Sequence, residues 1–300
     1  PDCGNSLMIL IDASQLMIAN MFSIYGKRLE EIQKHHVRYA YTRGIAYYYK
    51  KFHSEYGNIA LCYDHRASWR RDYFPHYKAS RRKEQKKSSM DWGNMYDLFM
   101  ELHDEILDEV NVRSYLVHGC EADDIIGYLC NKAEEKTVIV SSDKDFKQLN
   151  HLHWVDQYSP AHKEFLVCED TNAFLQEHII RGDSSDGIPN VYSDDDAIVN
   201  EDKKQMIMNK KRYNAAVDMI EMGDMTSIES HYHRNKTLID LNEIPSRHKS
   251  LIRSQHKIYN SLHKDQGELF EREFIEYLKK HSLYKVIEEM MTPPTLSFEN

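Results

Sequence analysis

The sequence predicts an α/β fold with a mainly parallel central sheet flanked by helices, followed by a mostly helical C-terminal domain. Two observations support this. In the first half of the chain, short apolar runs alternate with longer helical patterns, which is the order expected for parallel strands connected by helices. After Gly182, runs of β-branched residues become rare. We therefore predict an α/β domain over 1–180 and a helical domain over 181–300.

The elements of the first half follow from their apolar patterns and their boundaries. Strands are predicted at 7–11, 58–63, 112–117, 137–140 and 154–158. Helical patterns cover about 36–55, 92–110 and 121–135. The first of these, YAYTRGIAYYYKKF, has apolar faces at helical spacing and is predicted to be a core helix. Residues 193–202 are polar and acidic and are predicted to form a mobile loop.

Composition points to a globular protein of the cytoplasm. Hydrophobic residues make up 41% of the 300 residues, and no apolar run approaches the roughly 18 residues of a membrane helix. The amino terminus lacks the pattern of a secretion signal, and its start at Pro1 suggests a preceding segment. Five scattered cysteines without a CxxC pair favour neither disulfides nor zinc. The seventeen histidines show no metal-binding spacing, and none is assigned to a metal site.

The charges are segregated along the chain, although the net charge is −9. Residues 65–90 contain nine Lys or Arg and only two acids, and 203–212 contain five Lys or Arg without an acid. These basic patches are candidate phosphate contacts. The candidate nucleic-acid-binding residues are Arg66, Arg70, Arg71, Tyr77, Arg82, Lys83, Lys203, Lys204, Lys210, Lys211 and Arg212. The same patches also fit solvated surface, and Tyr77 also fits packing against the sheet.

Acidic residues follow several predicted strands, at the edge of a parallel sheet where functional groups gather. They lie in LMILIDAS, NIALCYD, GCEADDIIGYL and TVIVSSDKDF. Taken singly, an acid at a helix start is more often a cap than a metal ligand. A converging set would repel strongly unless cations neutralised it, and hard oxygen ligands favour Mg²⁺ or Mn²⁺. The acids are Asp12, Asp64, Glu121, Asp123, Asp124, Asp143 and Asp145.

The ordered series ILIDAS, YD, YKASRR, EADD, SSDKDF and GDSSDGIP, spanning 7–189, resembles the flap endonuclease or 5′ nuclease family. In length and in its second half, the chain is most similar to the bacteriophage members. The resemblance implies the 5′ nuclease or PIN-like fold and two Mg²⁺ or Mn²⁺ ions. It assigns Asp12, Asp64, Glu121 and Asp123 to the first ion, Asp143, Asp145 and Asp186 to the second, and Asp183 and Asp124 to positions acting through water.

The resemblance also gives roles to the basic segments. In the family, residues matching 65–90 form an arch over the active site, in which Lys78 and Arg81 match a Lys and an Arg that act on the scissile phosphate. IIRGDSSDGIPNV resembles the start of a helix-three-turn-helix that holds duplex DNA and a potassium ion. This chain lacks glycine between Gly187 and Gly223, which weighs against the potassium site.

The predicted function is a structure-specific 5′ nuclease, both 5′-3′ exonuclease and flap endonuclease, acting on DNA and RNA primers in replication or repair. By resemblance, its products carry a 5′-phosphate and a 3′-hydroxyl. Its expected partners are branched or 5′-ended DNA, RNA–DNA primer junctions, a sliding clamp and a single-strand-binding protein. If phage-encoded, it would act in the host cytoplasm. Two alternatives stay open: a PIN-type endoribonuclease and a non-catalytic branched-DNA-binding protein.

Overall fold

A six-stranded sheet forms the centre of the computed structural model, which describes residues 8–26, 32–262 and 266–292. The strand order is β3-β2-β1-β4-β5-β6. Strands β1 to β5 are parallel, and β6 pairs antiparallel with β5 at one edge. The predicted fold class is therefore confirmed. The strands are β1 Met8–Asp12, β2 Asn58–Tyr63, β3 Arg113–Leu116, β4 Thr137–Val140, β5 Val155–Ser159 and β6 Glu164–Leu166.

Helices connect the strands and form most of the chain after β6. A 3₁₀ helix, Lys144–Leu149, follows β4. The α-helices are α1 Ala13–Tyr25, α2 Lys34–Tyr56, α3 Trp69–Tyr73, α4 Ala79–Lys87, α5 Trp92–Glu109, α6 Ala122–Cys130, α7 Thr171–Arg181, α8 Lys210–Met222, α9 Glu229–Ile239, α10 Ser246–Leu262, α11 Gln266–Lys280 and α12 Tyr284–Met291.

The five predicted strands are all present, although Leu7, the first predicted strand residue, lies outside the described residues. The helix predicted at 121–135 ends earlier, at Cys130, and turns lead from there to β4. Residues 193–202 form successive turns, in which Lys203 lies 2.7 Å from Asp196. The mobility of that loop stays a prediction. In the described part of the chain, no helix combines the length and apolarity needed to cross a bilayer.

Both faces of the sheet are buried, which explains why its strands are continuously apolar. Along β1, Ile9 and Ile11 contribute to one core and Leu10 to the other. Helices from the end of the chain complete both layers: Phe274 of α11 packs into the first core and Ile252 of α10 into the second. The α/β and helical parts thus share their cores, while the division near residue 180 stays a prediction.

Candidate active site

The carboxyl ends of neighbouring parallel strands bring the predicted acids to one edge of the sheet. Asp12 is the last residue of β1, and Asp64 directly follows β2, the neighbouring strand. Asp143 follows β4 on the other side of β1 and caps the 3₁₀ helix. Glu121 caps α6, which begins beyond the end of β3. The alternation of strands and helices predicted from the sequence therefore positions the acids.

Asp12 and Asp64 connect the strands around them through hydrogen bonds. Asp12 accepts from the Gln15 backbone N–H at 3.0 Å and from the Ser141 hydroxyl at 3.1 Å. Asp64 accepts from the Ala122 N–H at 2.8 Å. Burial and the charge of Asp64 raise the pKa of Asp12 to about 7. Burial, followed by the charge of Glu121, also raises the pKa of Asp64. Burial and the neighbouring acids therefore disfavour the ionised form of both carboxyls.

Glu121 lies between two cations. Arg70 Nη1 lies 3.4 Å from its carboxylate, Lys78 Nζ lies 3.1 Å away, and the Tyr77 hydroxyl donates to it at 2.7 Å. Although burial alone would raise the pKa of Glu121, Lys78 and Arg70 lower it to about 2. Glu121 thus stays ionised at neutral pH.

Two predicted nucleic-acid contacts belong to this buried network instead of the surface. Arg70 is 1% exposed and Tyr77 is 2% exposed, so neither can reach a phosphate or stack on a base. Arg70 also donates to the Leu238 carbonyl at 2.9 Å. Because both are enclosed beside the acids, the structure favours a structural role for Arg70 and Tyr77 over contact with nucleic acid.

Asp124 takes the structural role that an acid at a helix start commonly has. It has no exposed surface, accepts from the Glu121 N–H at 2.9 Å and from the Trp69 indole at 3.0 Å, and pairs with Arg70 at 2.9 Å. These contacts give Asp124 a structural role, and its metal role through water stays a prediction. Asp123 keeps part of its side chain exposed, and burial raises its pKa despite the opposing charge of Arg70.

A second acidic group lies beside the first, beyond β4. Asp143 accepts from the Asp145 N–H at 2.9 Å. Burial and the charge of Asp143 raise the pKa of Asp145 to about 7. Asp183 lies 2.8 Å from Lys144 Nζ and 3.1 Å from His178 Nε2. Burial opposes ionisation of Asp183, but these hydrogen bonds hold its pKa well below the ordinary value.

His178 is a residue of this group that the sequence analysis missed. Asp145, His178 and Asp183 offer ligand atoms within 4.8 Å of one another, a spacing suited to one metal ion. His178 thus lies where it could join a metal site, whereas the sequence analysis assigned no histidine to one. His178 precedes Asp183 by five residues across the end of α7, so no regular helical spacing marks the pair. The only signal in the sequence was its closeness to the GDSSD motif.

Asp186 connects the two acidic groups with the basic segment. It lies 3.0 Å from Arg81 Nη2 and 3.9 Å from Lys78 Nζ, and its backbone carbonyl accepts from the Lys78 N–H at 2.7 Å. Burial raises the pKa of Asp186, although Lys78 and Arg81 oppose the rise. Gly187 makes this approach possible, because a Cβ there would lie 2.7 Å from the His76 carbonyl oxygen. Lys78 and Arg81 thus form ion pairs with acids of the candidate site.

The basic segment 65–90 contains two helices, α3 and α4, and α4 has no buried residue. Arg66 and Lys83 are exposed and pair with Asp97 at 3.7 Å and Glu201 at 2.6 Å. Arg71 and Arg82 are half-buried and donate to backbone carbonyls of the segment itself.

The second basic stretch is mostly exposed. Lys204, Lys210 and Lys211 are open to solvent. Lys203 pairs with Asp194 and Asp196, and Arg212 donates to the Ile207 carbonyl. Contact of either basic stretch with nucleic acid stays a prediction.

Comparison with known proteins places the chain among nucleases. Residues 7–177 match the family described as 5′-3′ exonuclease, N-terminal resolvase-like domain. Ribonuclease H of Enterobacteria phage T4 is 29% identical over 263 residues, covering 83% of this chain and 86% of that protein. Flap endonuclease Xni of Shewanella baltica is 28% identical, covering 45% of this chain and 52% of its own length. The resemblance to bacteriophage members is therefore confirmed.

A solved structure supports the fold. The bacteriophage T5 5′-exonuclease, determined with bound zinc ions, superimposes with a TM-score of 0.61 and 18% identity. The superposition covers 85% of this chain and 99% of the T5 chain. The two chains therefore share the arrangement of sheet and helices.

Proposed function

The chain belongs to the 5′-3′ exonuclease family, and from this premise we propose that it is a structure-specific 5′ nuclease. It hydrolyses phosphodiesters at 5′ ends and flaps of DNA, and of RNA primers paired to DNA, during replication or repair. The observation that carries the proposal is the convergence of acids from β1, β2, β4 and α6 on one edge of the sheet, with Lys78 and Arg81 over them.

The acids are suited to hold two Mg²⁺ or Mn²⁺ ions. Their oxygen atoms are the ligands that these ions prefer, and the raised pKa values of Asp12 and Asp145 reflect a repulsion that cations would relieve. When bound, such ions make hydroxide available and stabilise the charge that develops on the phosphate. The residues proposed for the first ion are Asp12, Asp64, Glu121 and Asp123, and those for the second are Asp143, Asp145 and Asp186.

Lys78 and Arg81 position the scissile phosphate. In the free protein their cationic groups face Glu121 and Asp186. Arg81 is half exposed, so an incoming phosphate can compete for its guanidinium. Cations beside a scissile phosphate accelerate the reaction most, because negative charge grows there in the transition state. Lys78 and Arg81 therefore orient the phosphate and stabilise its developing charge.

DNA binding is proposed to use the exposed and half-buried cations on both basic stretches. Contacts of this kind supply affinity that falls steeply with salt and is independent of sequence. The residues are Arg66, Arg71, Arg82, Lys83, Lys203, Lys204, Lys210, Lys211 and Arg212. A sliding clamp and a single-strand-binding protein are further proposed partners, consistent with a function at replication junctions.

A cleavage assay tests this function. We expect the protein with Mg²⁺ or Mn²⁺ to shorten 5′-labelled duplex and to remove 5′ flaps from DNA and from RNA–DNA primer junctions, and EDTA to abolish both activities. Asp145→Asn serves as the inactive control. Cleavage of structured RNA alone would favour the PIN-type endoribonuclease. Tight fork binding without any cleavage would favour the non-catalytic alternative.

A further inference from the structure

His178 is a buried histidine directed into the second acidic group. It lies on α7 and is 7% exposed. Its Nε2 is 3.1 Å from an oxygen of Asp183, and its Nδ1 is 3.4 Å from an oxygen of Asp145. The imidazole therefore bridges two carboxylates that arrive from different elements.

The contact between His178 Nδ1 and Asp145 is incomplete. Within the described residues, neither His178 Nδ1 nor the Asp145 oxygen facing it makes a hydrogen bond, and both atoms are buried. Buried polar atoms without a partner are rare and unfavourable, because burial removes the water that would otherwise bind them. A cation bound by both atoms would satisfy them together.

The surroundings of Asp183 determine which nitrogen of His178 is available. One oxygen of Asp183 accepts from Ser185, and the other faces both Lys144 and His178 Nε2. A carboxylate only accepts hydrogen bonds, so Nε2 carries a proton, and in the neutral imidazole Nδ1 then presents a lone pair. A histidine held by a carboxylate through one nitrogen commonly binds metal through the other.

The distance between the two unpartnered atoms fits a shared metal ion. Ligand atoms about 2.1 Å from one ion lie about 3.0 Å apart at the right angle of an octahedral site, within a few tenths of an ångström of the observed separation. His178 Nδ1 and Asp145 are separated by 3.4 Å. Asp183, in contrast, already accepts from several donors, so it is placed to orient the imidazole.

We propose that His178 Nδ1 is a direct ligand of the second divalent ion, beside Asp145, and that Asp183 orients it. This inference rests on the proposed function, because it concerns the same metal centre. Imidazole nitrogen binds Mn²⁺ and later transition metals better than it binds Mg²⁺, which prefers oxygen ligands. The site of the second ion is therefore selective for Mn²⁺ over Mg²⁺. The site of the first ion, which has only carboxylate ligands, is less selective.

Pulsed EPR on the Mn²⁺-loaded full chain tests the inference. Wild type should show nitrogen hyperfine coupling on bound Mn²⁺, and His178→Gln should lose it, because Gln can still donate to Asp183 but offers no imidazole lone pair. Titration should show Mn²⁺ affinity falling about tenfold or more in His178→Gln, with Mg²⁺ affinity changing less than about threefold. His256→Gln is the matched control, a buried histidine bonded to Tyr115, and should keep the coupling.

The possible failures are distinguishable. If Mn²⁺ binds to wild type without nitrogen coupling, or if His178→Gln weakens Mn²⁺ and Mg²⁺ equally, the inference is overturned while the proposed function stands. If wild type cleaves flaps with Mg²⁺ but binds no Mn²⁺, the inference alone again fails. If neither ion binds and no flap is cut, the metal centre and the proposed function fail together.

Discussion

Lys78 has an unusual backbone conformation, and its side chain lies among the acids of the candidate active site. Its φ of 52° lies in the left-handed region, which costs a residue other than glycine about 1 kcal/mol or more. Two contacts hold it there: its N–H donates to the Asp186 carbonyl at 2.7 Å, and its ammonium lies 3.1 Å from Glu121. Burial disfavours the ammonium charge, but Glu121 and the other acids nevertheless raise the pKa of Lys78. The cation is therefore fixed over the acids.

Replacing the positioning cations should affect cleavage far more than binding. We expect Lys78→Ala or Arg81→Ala to lower single-turnover cleavage about 100-fold and fork affinity only a few-fold, because these groups act chiefly in the transition state. Lys86→Ala, an exposed residue of the same helix, should cause only a modest loss of affinity. Equal losses of binding and cleavage in Lys78→Ala would show that the segment is only an electrostatic patch.

Arg70 should behave as a structural residue despite lying in the basic segment. Arg70→Ala would leave Glu121 and Asp124 buried with one cation fewer, which typically costs about 3–5 kcal/mol. The matched control is Arg66→Ala, whose side chain is 72% exposed, and it should leave stability nearly unchanged while weakening the salt dependence of DNA binding. Urea unfolding and salt titrations measure both. A stable Arg70→Ala with weakened DNA binding would contradict this assignment.

Asp12, Asp64 and Glu121 were predictable because each ends an apolar strand, directly follows one or begins a helix, whereas Asp183 and Asp186 were assigned only through the family resemblance. The partners of these acids were not. Arg70 belongs to a run of cations that looks uniform in the sequence, and only burial separates it from Arg66. His178 is five residues from Asp183, and the two meet only because the chain turns after α7. Sequence spacing carries no information about such contacts between elements.

At the level of elements, the turn containing Gly187 touches residues 76–78, directly before α4, through the backbone. Gly187→Ala should therefore reduce single-turnover cleavage about tenfold or more, because its Cβ would displace the His76 carbonyl and the contact between Asp186 and Lys78. Gly223→Ala is the matched control: its φ of +71° resembles the +74° of Gly187, but nothing lies within 4 Å of a Cβ there.

Both glycine variants should lose about 1 kcal/mol of stability from the left-handed backbone, and Gly187→Ala should lose more, because its Cβ also meets the His76 carbonyl oxygen; thermal unfolding measures both. Only Gly187→Ala should also lose activity. Full activity in Gly187→Ala would mean that cleavage does not need the contact between Asp186 and Lys78. Equal losses of activity in the two variants would mean that stability alone limits cleavage.

Elements with strong apolar patterns were predictable, and those without were not. The strands β2 and β4 match their predicted bounds because polar residues or turns flank each apolar run. Helix α1 begins directly after β1, so the apolar run continues and only the cap formed by Asp12 separates the two. Strand β6 is short and mostly exposed at the sheet edge, and its pairing depends on β5.

For the whole molecule, the acids of the candidate active site make the free energy of unfolding depend on pH and on bound metal. Burial raises the pKa of Asp12 and Asp145 from 3.8 to about 7. Since folding raises these pKa values, their stabilising contribution is complete below pH 4 and is lost as the pH rises through 7. Glu121, with its pKa lowered to about 2, acts oppositely, and its contribution is lost as the pH falls towards 2.

Metal binding should show the matching dependence on pH. Protons compete with metal for Asp12 and Asp145 below about pH 7. Affinity for Mn²⁺ should therefore fall by about tenfold for each of these carboxyls between pH 8 and pH 6, as measured by titration calorimetry. A pH-independent affinity over this range would show that these carboxyls do not hold the ion.

Thermal unfolding of Asp145→Asn, with and without metal, tests most directly the central claim that these acids form a metal centre. In EDTA we expect Asp145→Asn to melt at the same temperature as wild type or higher, with an advantage that grows from pH 4 to pH 7, because the amide removes a repelled charge. Wild type should gain about 2.7 kcal/mol at a Mn²⁺ concentration 100 times the dissociation constant, and the variant less.

An ordinary helix cap supplies the control for that measurement. Asp91 caps α5 by accepting from the Asn94 N–H, so Asp91→Ala should lose about 1 kcal/mol and keep the full response to metal. The account predicts an Asp145→Asn protein that is inactive, stable in EDTA and weakly stabilised by Mn²⁺. A destabilised Asp145→Asn together with a wild type whose melting temperature ignores Mn²⁺ and Mg²⁺ would contradict it.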